Sequence, residues 1–179
     1  MPKNDLVELV RTVRQARQYS DKPVPEEVVA ELLEVARWTG SSRNTQPWHF
    51  VVVTDKETLR KVSQLRPPIN WVAQAPLGIA LVMDGANPMS EAYDEGRVAE
   101  RLLIAARARG LGGGVAWFGD DSQVAEGKRI LGIPQEKLAR SMVIIGDATS
   151  TKDTRPNRNT PGRKPLNEVA SYNRFGASK

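Results

Sequence analysis

Helical and strand-like stretches alternate along the 179-residue chain, and that alternation taken alone predicts an α/β class protein with a doubly wound sheet. Two observations carry it. Apolar residues recur at helical spacing in stretches that end at glycine, and between them stand β-branched or apolar runs of strand length, "WHFVVVT", "LGIALVMD" and "RSMVIIGDA". No internal repeat and no linker divides two cores, so one domain over residues 1–179 is expected.

In order, "NDLVELVRTVRQARQY" sets Leu6, Leu9, Val10 and Val13 at helical spacing behind a capping Asn4 or Asp5. This predicts a first helix with Arg14 and Arg17 on one face near its C-terminal end. "DKPVPEEVVAELLEVARWTG" predicts a second, with Pro25 in the first turn, Glu26 and Glu27 on the positive end of the dipole, and Gly40 as terminator. The polar stretch "SSRNTQPWHF" begins where that helix stops, and "WHFVVVT" predicts a buried strand. "DKETLRKVSQL" is a short amphipathic helix and "LGIALVMD" a second strand. From about Ser90 to Gly110 a long helix is apolar over much of its circumference, which predicts burial on more than one side, as at a subunit interface. "GGGVAWFG" is a third strand, "SQVAEGKRIL" a helix stopped by Gly132, and "RSMVIIGDA" a fourth strand. Residues 149–165 read as a loop, and "LNEVASYNRF" as a short closing segment.

Composition narrows the chemistry. No apolar run approaches the roughly 18 residues that span a bilayer, and "MPKNDLVELV" lacks the pattern of a signal peptide, so a cytoplasmic protein without a membrane partner is expected. The chain has no cysteine and one histidine, His49. That excludes disulfides, thiolate catalysis and Cys-containing zinc sites, and a metal centre would need carboxylates alone. The formal charge of +5 suits an anionic partner, whether nucleic acid, acidic lipid or a phosphorylated small molecule. A nucleic-acid-binding module is the reading from a different class, but the aromatic residues sit in strands or the Trp-containing loop rather than on a basic stacking platform. No nucleic-acid partner is therefore expected.

The nearest approach to a dinucleotide fingerprint, "GLGGGV" from Gly110, lacks the third glycine and leads from helix to strand, the reverse of the context that aims a helix N-terminus at a pyrophosphate. It remains either a tight turn or a backbone that approaches a flat ligand closely. His49, between Trp48 and Phe50, reads as a packed core or interface residue rather than a catalytic base. Arg14 and Arg17, with Arg163 and Lys164, stand at element boundaries, either as solvated surface or as a clamp for a phosphate monoester. Asn44 and Gln46 each carry an acceptor and a donor, the mixed set that pairs with a pyrimidine-like edge such as that of flavin, and Ser41 and Ser42 add hydroxyls. A helix C-terminal loop rich in turn-formers is the plain alternative.

Taken together, these residues resemble the FMN-dependent nitroreductase family. "VRQARQYSDKPVPEEVVAELLEVARWTGSSRNTQPWHFVVV" is similar to its N-terminal signature, "ARARGLGGGVAWFG" to its Gly-Leu-Gly segment, and "GRKPLNEV" to its C-terminal Arg-Lys-Pro-Leu element. The resemblance implies an α+β fold, a mainly antiparallel central sheet sandwiched by helices, in place of the doubly wound sheet. It further implies an intertwined homodimer with FMN sites built from both subunits. By position, Arg14, Gln15 and Arg17 would line the ribityl, phosphate and pyrimidine side, with Arg163 and Lys164 completing the phosphate clamp. Ser41, Ser42, Asn44 and Gln46 would come from the other subunit, and the backbone of Gly112, Gly113 and Gly114 would face the hydride-accepting edge. No side chain is implied as a catalyst, because the flavin carries the redox chemistry, with NADH or NADPH as reductant and a nitroaromatic- or quinone-type electrophile as oxidant. Flavin fragmentation, reductive dehalogenation and azoline dehydrogenation are alternatives on the same fold. Many members have serine where this chain has Gln15, and the segment between "LVMD" and the long helix is brief, which leaves the pocket open.

Overall fold

The structure is a computed structural model that describes residues 3–150 and 163–177. Its elements are α1 (Lys3–Thr12), β1 (Gln18–Tyr19), α2 (Glu26–Arg37), β2 (Trp48–Val53), α3 (Lys56–Ser63), β3 (Leu77–Met83), α4 (Pro88–Ala108), β4 (Gly112–Trp117), α5 (Asp121–Leu131), β5 (Leu138–Gly146), β6 (Ala148–Ser150) and α6 (Leu166–Val169). A 3-10 turn at Ser42–Asn44 and a longer 3-10 segment at Pro67–Gln74 complete them.

Four strands form the main sheet in the order β2-β3-β5-β4, and every neighbouring pair is antiparallel. The doubly wound arrangement is therefore corrected, and the α+β sandwich holds. Antiparallel neighbours need no crossover helix to link them, so the helices are free to cover the faces without dictating strand direction. A second, two-stranded sheet pairs β1 with β6.

Strand β3 shows why the sheet is covered on both sides. It is buried along its whole length, and its alternate residues enter two separate cores. Leu77, Ile79, Leu81 and Met83 pack with Leu32 and Ala36 of α2 and Val98, Leu102, Leu103 and Ala106 of α4. Ala80 and Val82 face the other way, onto Leu59 and Val62 of α3 and Trp71, Val72 and Phe118. At roughly 25 cal/mol per Å² of apolar surface, each of the large side chains fully buried here contributes about 1.5–3 kcal/mol.

Three expectations are altered. The first helix stops at Thr12 rather than running on, so Arg14 and Arg17 lie on irregular chain outside it, and Asp5 stands within its first turn. The cause is tertiary: Ala16 donates its N–H to the Gly113 carbonyl at 2.7 Å and Gln15 makes a bridge with Gly113, so the free edge of β4 takes the backbone that a longer helix would need. Strand β2 is an edge strand rather than a buried one, and His49 on it is exposed in the chain rather than in its core. Gly40 follows the end of α2, but the last helical carbonyls are closed earlier, Glu34 by the Trp38 N–H and Ala36 by the Thr39 N–H. The long helix matches its expected span; its Met89 and Tyr93 stay 78% and 73% exposed while the opposite face is core.

Candidate functional site

One group of predicted site residues gathers at the free edge of β4. Close packing puts it there. A Cβ on Gly112 would meet Ala148 and Ala16, one on Gly113 would meet Leu103, and one on Gly114 would come within 2.6 Å of the Ala16 carbonyl and 3.1 Å of the Trp71 ring. The three glycines thus let the 15–16 backbone lie against the strand. The Gln15 side-chain oxygen then accepts from the Val115 N–H at 3.4 Å and from the Arg17 guanidinium at 3.2 Å. Arg17 in turn lies 5.7 Å from the centre of the Trp71 ring, within cation–π reach. Beneath it, Tyr19 donates to the Ala16 carbonyl at 2.7 Å, and burial pushes its phenol well above the ordinary value, so it stays a neutral donor.

Arg14 is exposed and points back along α1, donating to the carbonyls of Arg11 and Val13 at 3.0 and 2.7 Å. It borders a hollow of about 280 Å³ that it shares with Arg107, Leu103, Gly112, Gly113 and Ala148. Two guanidiniums at the rim of one hollow make it a fit for an anionic group. Arg107, in the last turn of α4, had no signal in the sequence beyond its charge.

The second group, Ser41, Ser42, Asn44 and Gln46, forms the loop between α2 and β2. Arg43, Asn44 and Gln46 all have positive φ, at 52°, 55° and 49°. Such left-handed backbone costs non-glycine residues of order 1 kcal/mol each and persists where the surroundings fix it. Here the fixing is partly internal: Ser41 Oγ accepts from the Gln46 N–H at 2.9 Å, and the Asn44 and Thr45 N–H groups bond to the Ser41 and Ser42 carbonyls. The rest comes from α4. The buried Asp94 accepts from the Ser42 N–H at 3.3 Å, Arg97 donates to both Asp94 and the Gly40 carbonyl, and Arg101 donates to the Trp38 carbonyl at 2.8 Å. The side chains of Ser42, Asn44 and Gln46 are left exposed, and no hydrogen bond between described residues engages either side-chain amide.

The two groups lie at opposite corners of the sheet. Trp48, just after the loop, pairs through Met83 with Leu138, whereas Gly114 pairs with Ile144 on the same strand. Three strand spacings separate β2 from β4, roughly 14 Å, and six residues of β5 add roughly 20 Å in the perpendicular direction. One chain does not bring them together. Arg163 and Lys164 are both exposed. They open a C-terminal segment whose α6 packs substantially against no other element, and whose Leu166, Val169, Tyr172 and Phe175 side chains face outward.

The nitroreductase family model matches residues 10–89, which include the loop and the Arg14–Arg17 segment. A protein of Methanothermobacter thermautotrophicus that carries the provisional name NADH dehydrogenase/NAD(P)H nitroreductase is 30% identical over 159 residues, covering 86% of this chain and 82% of its own. This chain belongs to the nitroreductase family. Solved structures share the nitroreductase fold. An FMN-dependent nitroreductase from Clostridium difficile superposes with a TM-score of 0.81 at 24% identity, over 94% of this chain and 99% of its own. A nitroreductase-like protein of Desulfovibrio desulfuricans, solved with FMN, gives 0.81 at 23% identity, over 97% and 99%. Among the described residues no helix is long and apolar enough to cross a membrane.

Proposed function

We propose that this nitroreductase-family chain is an FMN-dependent NAD(P)H oxidoreductase that reduces nitroaromatic- or quinone-type electrophiles in ping-pong fashion and works as an intertwined homodimer. The single observation that carries the reading is the separation of the two donor groups. The β4 edge offers guanidiniums and a glutamine amide, the 41–46 loop offers exposed asparagine and glutamine amides with serine hydroxyls, and one chain holds them at opposite corners. A two-fold partner would place the loop of one subunit against the β4 edge of the other.

The residues present fit FMN by their chemistry. Arg14 and Arg17, with Arg163, Lys164 and Arg107, would supply charge for the phosphate. Asn44 and Gln46 offer donors and acceptors side by side, which suits the alternating C=O and N–H of the pyrimidine edge. Gln15 would stand at the ribityl side, where many members have serine, and the Gly112–Gly114 backbone would border the ring. When bound, FMN supplies hydride chemistry, accepting from NADH or NADPH and donating to the electrophile. The protein's part is to hold the ring, to place positive charge near its pyrimidine side, and to leave one face open to the two substrates in turn. The exposed C-terminal segment gives each subunit an apolar arm to lay across its partner, which would carry Arg163 and Lys164 to the phosphate.

The test is reconstitution with FMN followed by steady-state assay of NADH and NADPH oxidation with a quinone acceptor. Parallel double-reciprocal lines and a stoichiometric flavin are expected. A protein that takes up no flavin overturns the reading.

A further inference from the structure

We propose that Asp94 is a positioning residue for the cofactor, acting through the 41–46 loop with Arg97 as its partner; this rests on the flavin reading above. A buried carboxylate is retained on a helix only where partners compensate the lost hydration, so its partners state its task. Three acidic residues of α4 are buried, and each serves a different neighbour. Glu91 accepts from the N–H groups of Gly85 and Asn87 and so shapes the turn that starts its own helix. Glu95 accepts from Arg140 and Ser141 and ties the helix to β5. Of the three, Asp94 is the one that hydrogen-bonds to the loop, taking the Ser42 N–H, while Arg97 bridges from Asp94 to the Gly40 carbonyl.

Among the described residues the backbone–backbone hydrogen bonds of 41–46 are internal to the loop, and the bonds that tie Gly40 and Ser42 to the body run through these α4 side chains. Three of its residues hold left-handed backbone. A hollow of about 310 Å³, lined by Ser42, Arg43, Thr45, Asp84, Asn87 and Asp94, lies beside it and gives an unanchored loop room to relax. Asp94 thus fixes where the Asn44 and Gln46 amides point before any ligand arrives, which is how a binding site limits its ordering cost.

The experiment titrates flavin-free full-length protein with FMN, following flavin fluorescence, for the wild type, Asp94→Asn, Arg97→Gln, Asn44→Ala and the two double variants that contain Asn44→Ala. Arg97 is largely exposed, so its variant stands in should Asp94→Asn not fold. Each clamp substitution is expected to weaken FMN about tenfold, the scale of one hydrogen bond to a charged group. In the Asn44→Ala background the same substitutions should cost about twofold or less, because the amide they position is already gone. Arg97→Lys, which keeps the charge, should recover most of the affinity. Wild-type affinity in both clamp variants, or an equal loss with and without Asn44, overturns the proposal while leaving the flavin reading intact. A wild-type chain that binds no FMN defeats that reading and the proposal with it.

Discussion

The carbonyl oxygen of Ala16 lies 2.6 Å from the point that a Cβ on Gly114 would occupy. Ala16 also holds the neighbouring Gly113 carbonyl through its N–H at 2.7 Å, so the segment carrying Gln15 and Arg17 cannot back away without breaking the bond that seats it. Gly114→Ala is therefore expected to destabilise the protein by about 1–3 kcal/mol, as overpacked sites do. For a chain of this size that is a fall of roughly 2–10 °C in Tm. Calorimetry checks it, and flavin affinity should fall alongside because Gln15 and Arg17 shift together.

Arg14→Ala should lose most of its FMN. The guanidinium borders the basic hollow beside the glycine strand and donates to the Arg11 and Val13 carbonyls at the end of α1. Removing a charge-assisted contact to phosphate is expected to cost about tenfold or more in affinity. Dialysis followed by the flavin absorption spectrum measures it; stoichiometric flavin retained in a folded variant contradicts the assignment.

Stability should fall at both ends of the pH range, for opposite reasons. Hydrogen bonds from Arg37 and Trp38 hold the Glu34 carboxyl down to about 2, against 4.5 for the free group. A lowered folded value means that its contribution is present above pH 4.5 and is lost as pH falls from there toward 2. Arg60 and Arg129 lower Glu57 and Glu126 in the same way, so the acid limb is shared among several exposed pairs. Burial raises the Tyr19 phenol, so its contribution is complete below the ordinary phenol value of 10.0 and is lost as pH climbs above it. Tm measured against pH should show both limbs, and Tyr19→Phe should flatten the alkaline one.

Substituting Phe175→Asp in the C-terminal arm should weaken the proposed dimer and leave the subunit folded. The side chain is fully exposed in the single chain, and among the described residues α6 packs substantially against no other element, so a charge there should cost the monomer little and the proposed interface a great deal. Sedimentation over a concentration series would reveal the shift toward monomer.

Much of this fold is legible in the sequence because its signals are local. The Asp120 capping box and the left-handed Gly132 delimit α5, and the run "LGIALVMD" is β3 except for its last residue. Strand order is not local, and nothing in the periodicity separated a doubly wound sheet from β2-β3-β5-β4; the family resemblance did. The overlong first helix failed because a strand edge claimed the Gln15 and Ala16 backbone, a competition invisible to propensity. The short β1 and β6 carry too few residues for an alternation to register.

The site divides the same way. Asn44, Gln46 and the arginines announce themselves by donor chemistry, whereas Asp94 and Arg97 look like the solvated face of a helix until the loop is seen to hang from them. Trp71 is hidden in "PPINWVAQAP", where prolines mask the 3-10 segment that brings its ring under Arg17. Of the two readings for His49, core or interface, its exposure on an edge strand removes the core one. The "TKDTRPNRN" loop falls outside the described residues.

The central claim is that each flavin site is assembled from the β4 edge of one subunit and the 41–46 loop of the other. Light scattering with in-line absorbance at the flavin band, on protein reconstituted with FMN, reads mass and cofactor content in one experiment. A dimer carrying one flavin per chain is the predicted result, and a monomer carrying stoichiometric flavin would contradict the account.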